Sequence, residues 1–142
     1  MNAILRFLMV LIISTLPSFV SAQVKVSNAE ILKQASLSLS QKNFKKTEQL
    51  LENVYLNFLE EYNRPIEIQS FTEKKHIVQN YITDVKNVQR SDLANAAYLL
   101  SVICGLQLKV DEALKYAKQA NSLEPKNILY LKNLETIESM RK

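Results

Sequence analysis

The chain has 142 residues, 18 of them basic and 14 acidic, giving a net charge of +4 at pH 7. The charges are interspersed and no basic block stands out, which argues against nucleic acid or an anionic membrane surface as a partner. One glycine, three prolines and one cysteine exclude a turn-rich β fold, a glycine-rich phosphate loop and an intramolecular disulfide.

At the N-terminus the initiating amine and Arg6 precede an apolar run from Phe7 to Ile13 that reaches Leu16 and is broken by Pro17. Val20, Ser21 and Ala22 then fit the small-x-small pattern of a signal-peptide cleavage site. The run is about half the roughly 20 apolar residues that a spanning helix needs. It predicts a signal peptide over 1–22, cleaved after Ala22, and an exported protein, periplasmic or secreted, comprising residues 23–142 with no stable membrane span. No cysteine lies near the cleavage site, so a lipid-anchored N-terminus is not indicated.

Residues 23–142 read as all-α. Ser27 to Glu30 has the form of a capping box opening a first helix, with Ile31, Ala35, Leu37 and Leu39 apolar along it. Lys42 and Asn43 read as a turn, and Phe44 to about Glu61 as a second helix with Leu50, Leu51, Val54, Tyr55 and Phe58 on one face. Pro65 ends it. Ser70 to Glu73 is a second capping box, predicting a third helix to about Arg90 with Phe71, Ile77, Val78, Tyr81, Ile82, Val85 and Val88 facing inward. Ser91 or Asp92 would cap a fourth, from about Leu93 to Leu108, which is apolar nearly all round. A fifth is predicted from Asp111 to Leu123. Pro125 breaks it, and a sixth, from Asn127, carries Ile128, Leu131, Leu134 and Ile137 on one side.

Residues 94–127 resemble a tetratricopeptide repeat, a helix–turn–helix unit of about 34 residues. Pro125 sets the register, which puts Ala113 and Ala120 at the small positions where the two helices approach. Residues 28–61 resemble a more divergent copy, with Ala35 at a small position, Lys42, Asn43 and Phe44 at the turn, and Thr47 in place of an alanine. Ala97, Ser101 and Cys104 depart from the residues usual in the first helix. The resemblance implies antiparallel helical hairpins stacked as a short solenoid. Residues 62–93 would be a degenerate repeat or an inserted helix, and 128–142 a capping helix.

Chemistry-bearing residues are few. His76 reads as a surface histidine near Glu73, and Cys104 as a buried core thiol; one histidine and one cysteine cannot make a typical zinc site. The pairs Glu60–Glu61 and Asp111–Glu112 are neighbours in sequence and point to different parts of a helix surface. These residues predict no catalytic activity, cofactor or metal. The resemblance implies instead a concave face for a protein or peptide partner, presenting Lys33, Asn95, Tyr98, Leu99 and Val102, with Leu32 and Ser36 beside them. Such a module would serve as a scaffold or adaptor in a cell-envelope assembly. A helical bundle whose 93–108 helix lines a cavity for a lipid or small apolar ligand is the alternative.

Overall fold

A computed structural model describes residues 22–66 and 75–141, with side chains from 28 and 76 onward in the two stretches. The expected signal segment and the capping box at Ser70 to Glu73 lie outside the described residues. Among those described, the fold is all-helical: α1 Ala22–Ser40, α2 Phe44–Asn63, α3 Lys75–Leu106, α4 Val110–Leu123 and α5 Ile128–Met140. Each helix packs on the next in sequence, and α5 also touches α3.

The α1–α2 and α3–α4 turns are the same turn. The N–H of Lys42 donates to the Leu39 carbonyl at 2.9 Å and that of Asn43 to the Ser38 carbonyl at 3.0 Å. Sixty-six residues on, Leu108 donates to Gly105 and Lys109 to Cys104, both at 3.0 Å. This pair of bonds is the Schellman closure of a helix C-terminus, and it requires a left-handed residue after the last turn. Lys42 and Leu108 supply it, at φ 57° and 60°, although neither is glycine. A side chain there costs on the order of 1 kcal/mol, which the paired carbonyls and the packed hairpins offset. Asn43 also caps α2, its Oδ1 accepting from the Lys46 N–H at 3.2 Å. In the same way Asn127 caps α5 through the Leu129 N–H, at 3.1 Å.

Burial repeats with the same offset. Leu32 and Tyr98, Ala35 and Ser101, Ser38 and Cys104, Thr47 and Ala113, Leu51 and Ala117, and Val54 and Ala120 are all buried pairs. Thr47 fits an alanine position because its hydroxyl donates to the Asn43 carbonyl at 2.9 Å, so burial leaves no orphan donor. The two hairpins also stack directly. Tyr55 of α2 donates to Gln119 Oε1 of α4 at 2.6 Å and meets the Tyr116 ring edge-on at 5.4 Å.

Four expectations are corrected. The first helix begins at Ala22 rather than at a Ser27 cap, and Asn28 lies inside it, its Oδ1 accepting from Asn57 of α2 at 2.7 Å. The helices expected on either side of Ser91 and Asp92 are one helix, α3, of 32 residues. No proline or glycine interrupts it before Gly105. A serine and an aspartate inside a helix each cost only about half a kcal/mol in propensity, while fully buried Leu93 and Ala94 fix the backbone just beyond them. Along the first half of α3 the expected inward stripe is split: Ile77 is 64% exposed, Tyr81 58% and Val88 42%, while Val78 and Ile82 are half-buried and Val85 is buried. On α5, Ile128 and Leu131 are exposed, whereas Leu134 packs against the core and Ile137 is buried as expected, joined by buried Tyr130.

Gly105 faces the end of the Ile137 side chain. A Cβ built there would lie 3.0 Å from Ile137 Cδ1, so an alanine at this position would require that methyl group to shift by a few tenths of an ångström.

Candidate interaction surface

The residues expected on a concave face separate into two groups. Leu99 is 1% exposed and belongs to the core. Tyr98 is 5% exposed, its ring 5.3 Å from that of Tyr130. Burial pushes the pKa of both phenols above its ordinary value, making them weaker acids, and the Glu124 charge adds to this at Tyr130. Beside Tyr98, Asn133 of α5 donates to Ser101 Oγ at 2.8 Å. Leu32 and Ser36 are buried too. Lys33 is exposed, and Asn95 and Val102 are half-buried.

On the first half of α3 Ile77, Asn80, Tyr81, Thr83, Asp84, Asn87 and Val88 are exposed, and a line of apolar residues runs among them. At 3.6 residues per turn, Ile77, Tyr81, Asp84, Val88, Asn95 and Val102 fall on the same side of that helix. The opposite side of its first half is covered by the end of α2. There Lys86 Nζ donates to the Tyr62 carbonyl at 2.6 Å and the Arg64 carbonyl at 2.9 Å, and sits 5.5 Å from the Tyr62 ring centroid. A cation at those C-terminal carbonyls complements the helix dipole and fixes the direction in which the first half of α3 stands. Sequence reasoning named Asn95 and Val102 as residues of a concave face. It missed Ile77, Tyr81 and Val88, since an amphipathic pattern predicts a covered face and not what covers it.

The chemistry-bearing side chains do not converge. His76 is exposed and Cys104 buried, on the same helix and 28 residues apart, which is roughly 42 Å. Burial, then the Glu48 carboxylate, pushes the Cys104 thiol up to about 12, so it stays protonated. No group of three or more histidine, cysteine, aspartate or glutamate side chains among the described residues is placed to hold a metal ion. No helix among them is long and apolar enough to cross a membrane. The apolar residues from 93 to 104 are packed into or against the common core, and Leu106 is exposed. A shallow depression of about 430 Å³ between Arg90 and the α4–α5 turn opens to solvent and mixes Arg90 and Lys126 with Glu124.

One polar cluster joins the two hairpins. Glu48, in the second turn of α2, accepts from Lys109 Nζ at 2.6 Å and Gln107 Nε2 at 2.7 Å, with Cys104 Sγ at 3.6 Å. Burial raises the Glu48 pKa, but the bonds from Lys109 and Gln107 outweigh it and the net shift is downward from 4.5. The bond to Glu48 raises Lys109 from 10.5. A depressed carboxylate contributes stability that is present above its unfolded value and lost as pH falls through the folded one; a raised lysine contributes below 10.5 and loses it above. With Glu48 17% and Lys109 42% exposed, solvent screening keeps the pair modest. Glu48→Gln is therefore expected to cost about 1 kcal/mol near neutral pH, a gap that closes as the pH drops below 4.5. Thermal melts of the two proteins across that range check it; a gap independent of pH would mean that the charge contributes nothing.

Searches against protein-family models, curated proteins and solved structures find no match for this chain.

Proposed function

We propose that this chain is an exported, non-catalytic protein-interaction module of tetratricopeptide-like architecture, acting as a scaffold or adaptor in a cell-envelope assembly. The observation that carries the interaction reading is the open line on α3. Ile77, Tyr81 and Val88 expose large apolar area side by side on a helix whose direction Lys86 fixes. Exposed apolar area gathered in one place, unlike single surface leucines, marks a surface that another protein covers.

The repeat reading is supported by the matched turns at Lys42 and Leu108 and by the burial pattern that recurs with them. Residues 128–142 fit a cap. One repeat length beyond Ser101 and Cys104 of α3, α5 carries Glu135 and Glu138, both exposed, so it offers a charged face where another unit would have to stack. The support for export is the pattern of residues 1–22.

A photoreactive residue in place of Tyr81, with capture in the native host, tests the interaction reading. A defined protein product that is lost on Ile77→Asp plus Val88→Asp, with helicity and melting unchanged, is the expected result. Capture of no protein at all would overturn it.

A further inference from the structure

We infer that the open line on the first half of α3 pairs antiparallel with the same line of a second copy of this chain. The inference rests on the interaction reading above and names the partner. Ile77, Tyr81, Asp84 and Val88 are spaced four, three and four residues apart, the alternation of a helical seam. They lie half a turn round from Lys86, the side that α2 covers, so the seam faces away from the chain's own body.

The seam has a polar residue in its middle, and this decides the partner. An apolar partner helix would leave the Asp84 carboxylate facing hydrocarbon. A symmetric antiparallel pair in which residue numbers sum to 165 sets Ile77 against Val88 of the second copy and Tyr81 against Asp84. The Tyr81 hydroxyl donates to the Asp84 carboxylate, and the two-fold axis makes the bond twice. Flanking this seam, exposed Asn80 and Asn87 come opposite each other as amide pairs. Every layer then matches apolar with apolar or donor with acceptor, and no like charges meet. The in-register parallel arrangement would instead bring Asp84 beside Asp84. The contact is about three turns long, at the low end of interface size, so the dimer is weak and concentration-dependent.

Cysteine pairing in the purified, exported protein tests the register. Ile77 and Val88 are eleven residues apart on one helix, about 16 Å, beyond the roughly 7 Å that a disulfide within one chain can bridge. Buried, protonated Cys104 does not compete. A mixture of Ile77→Cys and Val88→Cys chains should oxidise to a heterotypic dimer, with neither variant crosslinking to itself. Sedimentation equilibrium provides the second arm. Tyr81→Asp should weaken the dimer roughly tenfold or more by setting two carboxylates together, and Tyr81→Asp combined with Asp84→Tyr should restore it. Homotypic crosslinking through Ile77→Cys alone would overturn the antiparallel register. A wild-type protein that stays monomeric with no heterotypic product would overturn self-pairing. Capture of a different protein at position 81 would then leave the interaction reading standing, and capture of none would remove both.

Discussion

Leu99→Ala is expected to destabilise the fold by about 2–5 kcal/mol, the range for emptying a packed leucine site. Leu99 is 1% exposed, with Leu100 and Ile103 of the same helix fully buried around it and Ala113, Ala117 and Ala120 in the same core. Where in that range the cost falls depends on how far the surrounding core can collapse into the space. The melting temperature should fall by roughly ten degrees or more, read by circular dichroism. Val102→Ala, three residues on and half-buried, should cost less than about 1 kcal/mol. The two variants separate core from surface along one helix. A Leu99→Ala protein that melts with the wild type but fails to capture its partner would put Leu99 at the binding surface after all.

The hairpins were legible in the sequence because their ends are written in local chemistry. Lys42 with Asn43, Pro65, Pro125 and Asn127 mark boundaries that the structure keeps to within about two residues. Cys104 and His76 also went where their surroundings sent them, one into an apolar run and the other among lysines. The first half of α3 was not legible, for two physical reasons. Ser91 and Asp92 can cap a helix or continue one, and the choice is made by buried Leu93 and Ala94, whose contacts are non-local. The apolar residues from Ile77 to Val88 have helical spacing whichever way they face, and only the position of Lys86 against the end of α2 says which side is covered.

The candidate surface was legible in part for a related reason. The repeat resemblance put Tyr98 and Leu99 on an inner face beside Asn95 and Val102. A helix has only one free side, and α5 takes the portion of α3 that holds Tyr98, through the Tyr130 ring and the bond from Asn133 to Ser101. Asn95 and Val102 are half-buried, Val102 against the core, and the extension of their side of the helix before Ser91 is where the exposed apolar area lies. That extension exists because α2 meets the later hairpin directly, through Glu48 and Tyr55, without residues 75–92 coming between them. Residues 76–92 are thus covered on one side, where Val85 is buried and Lys86 meets the end of α2, and open on the other.

The equivalence of the two hairpins makes a sharper prediction at Ala113. This residue is fully buried at the start of α4, and its N–H donates to the Lys109 carbonyl at 3.0 Å. Thr47 stands at the same place in the earlier hairpin, its N–H donating to the Asn43 carbonyl at 3.0 Å and its hydroxyl to that same oxygen. Ala113→Leu forces extra methyl and methylene groups between helices already in contact and is expected to cost about 1–3 kcal/mol. Ala113→Thr adds fewer atoms, and its hydroxyl can repeat the Thr47 bond by donating to the Lys109 carbonyl, so it should lose clearly less. The order of melting temperatures should be wild type, then Thr, then Leu. If Thr proves as damaging as Leu, the later turn cannot house the residue that the earlier one does, and the matched backbone angles at Lys42 and Leu108 would not reflect equivalent packing.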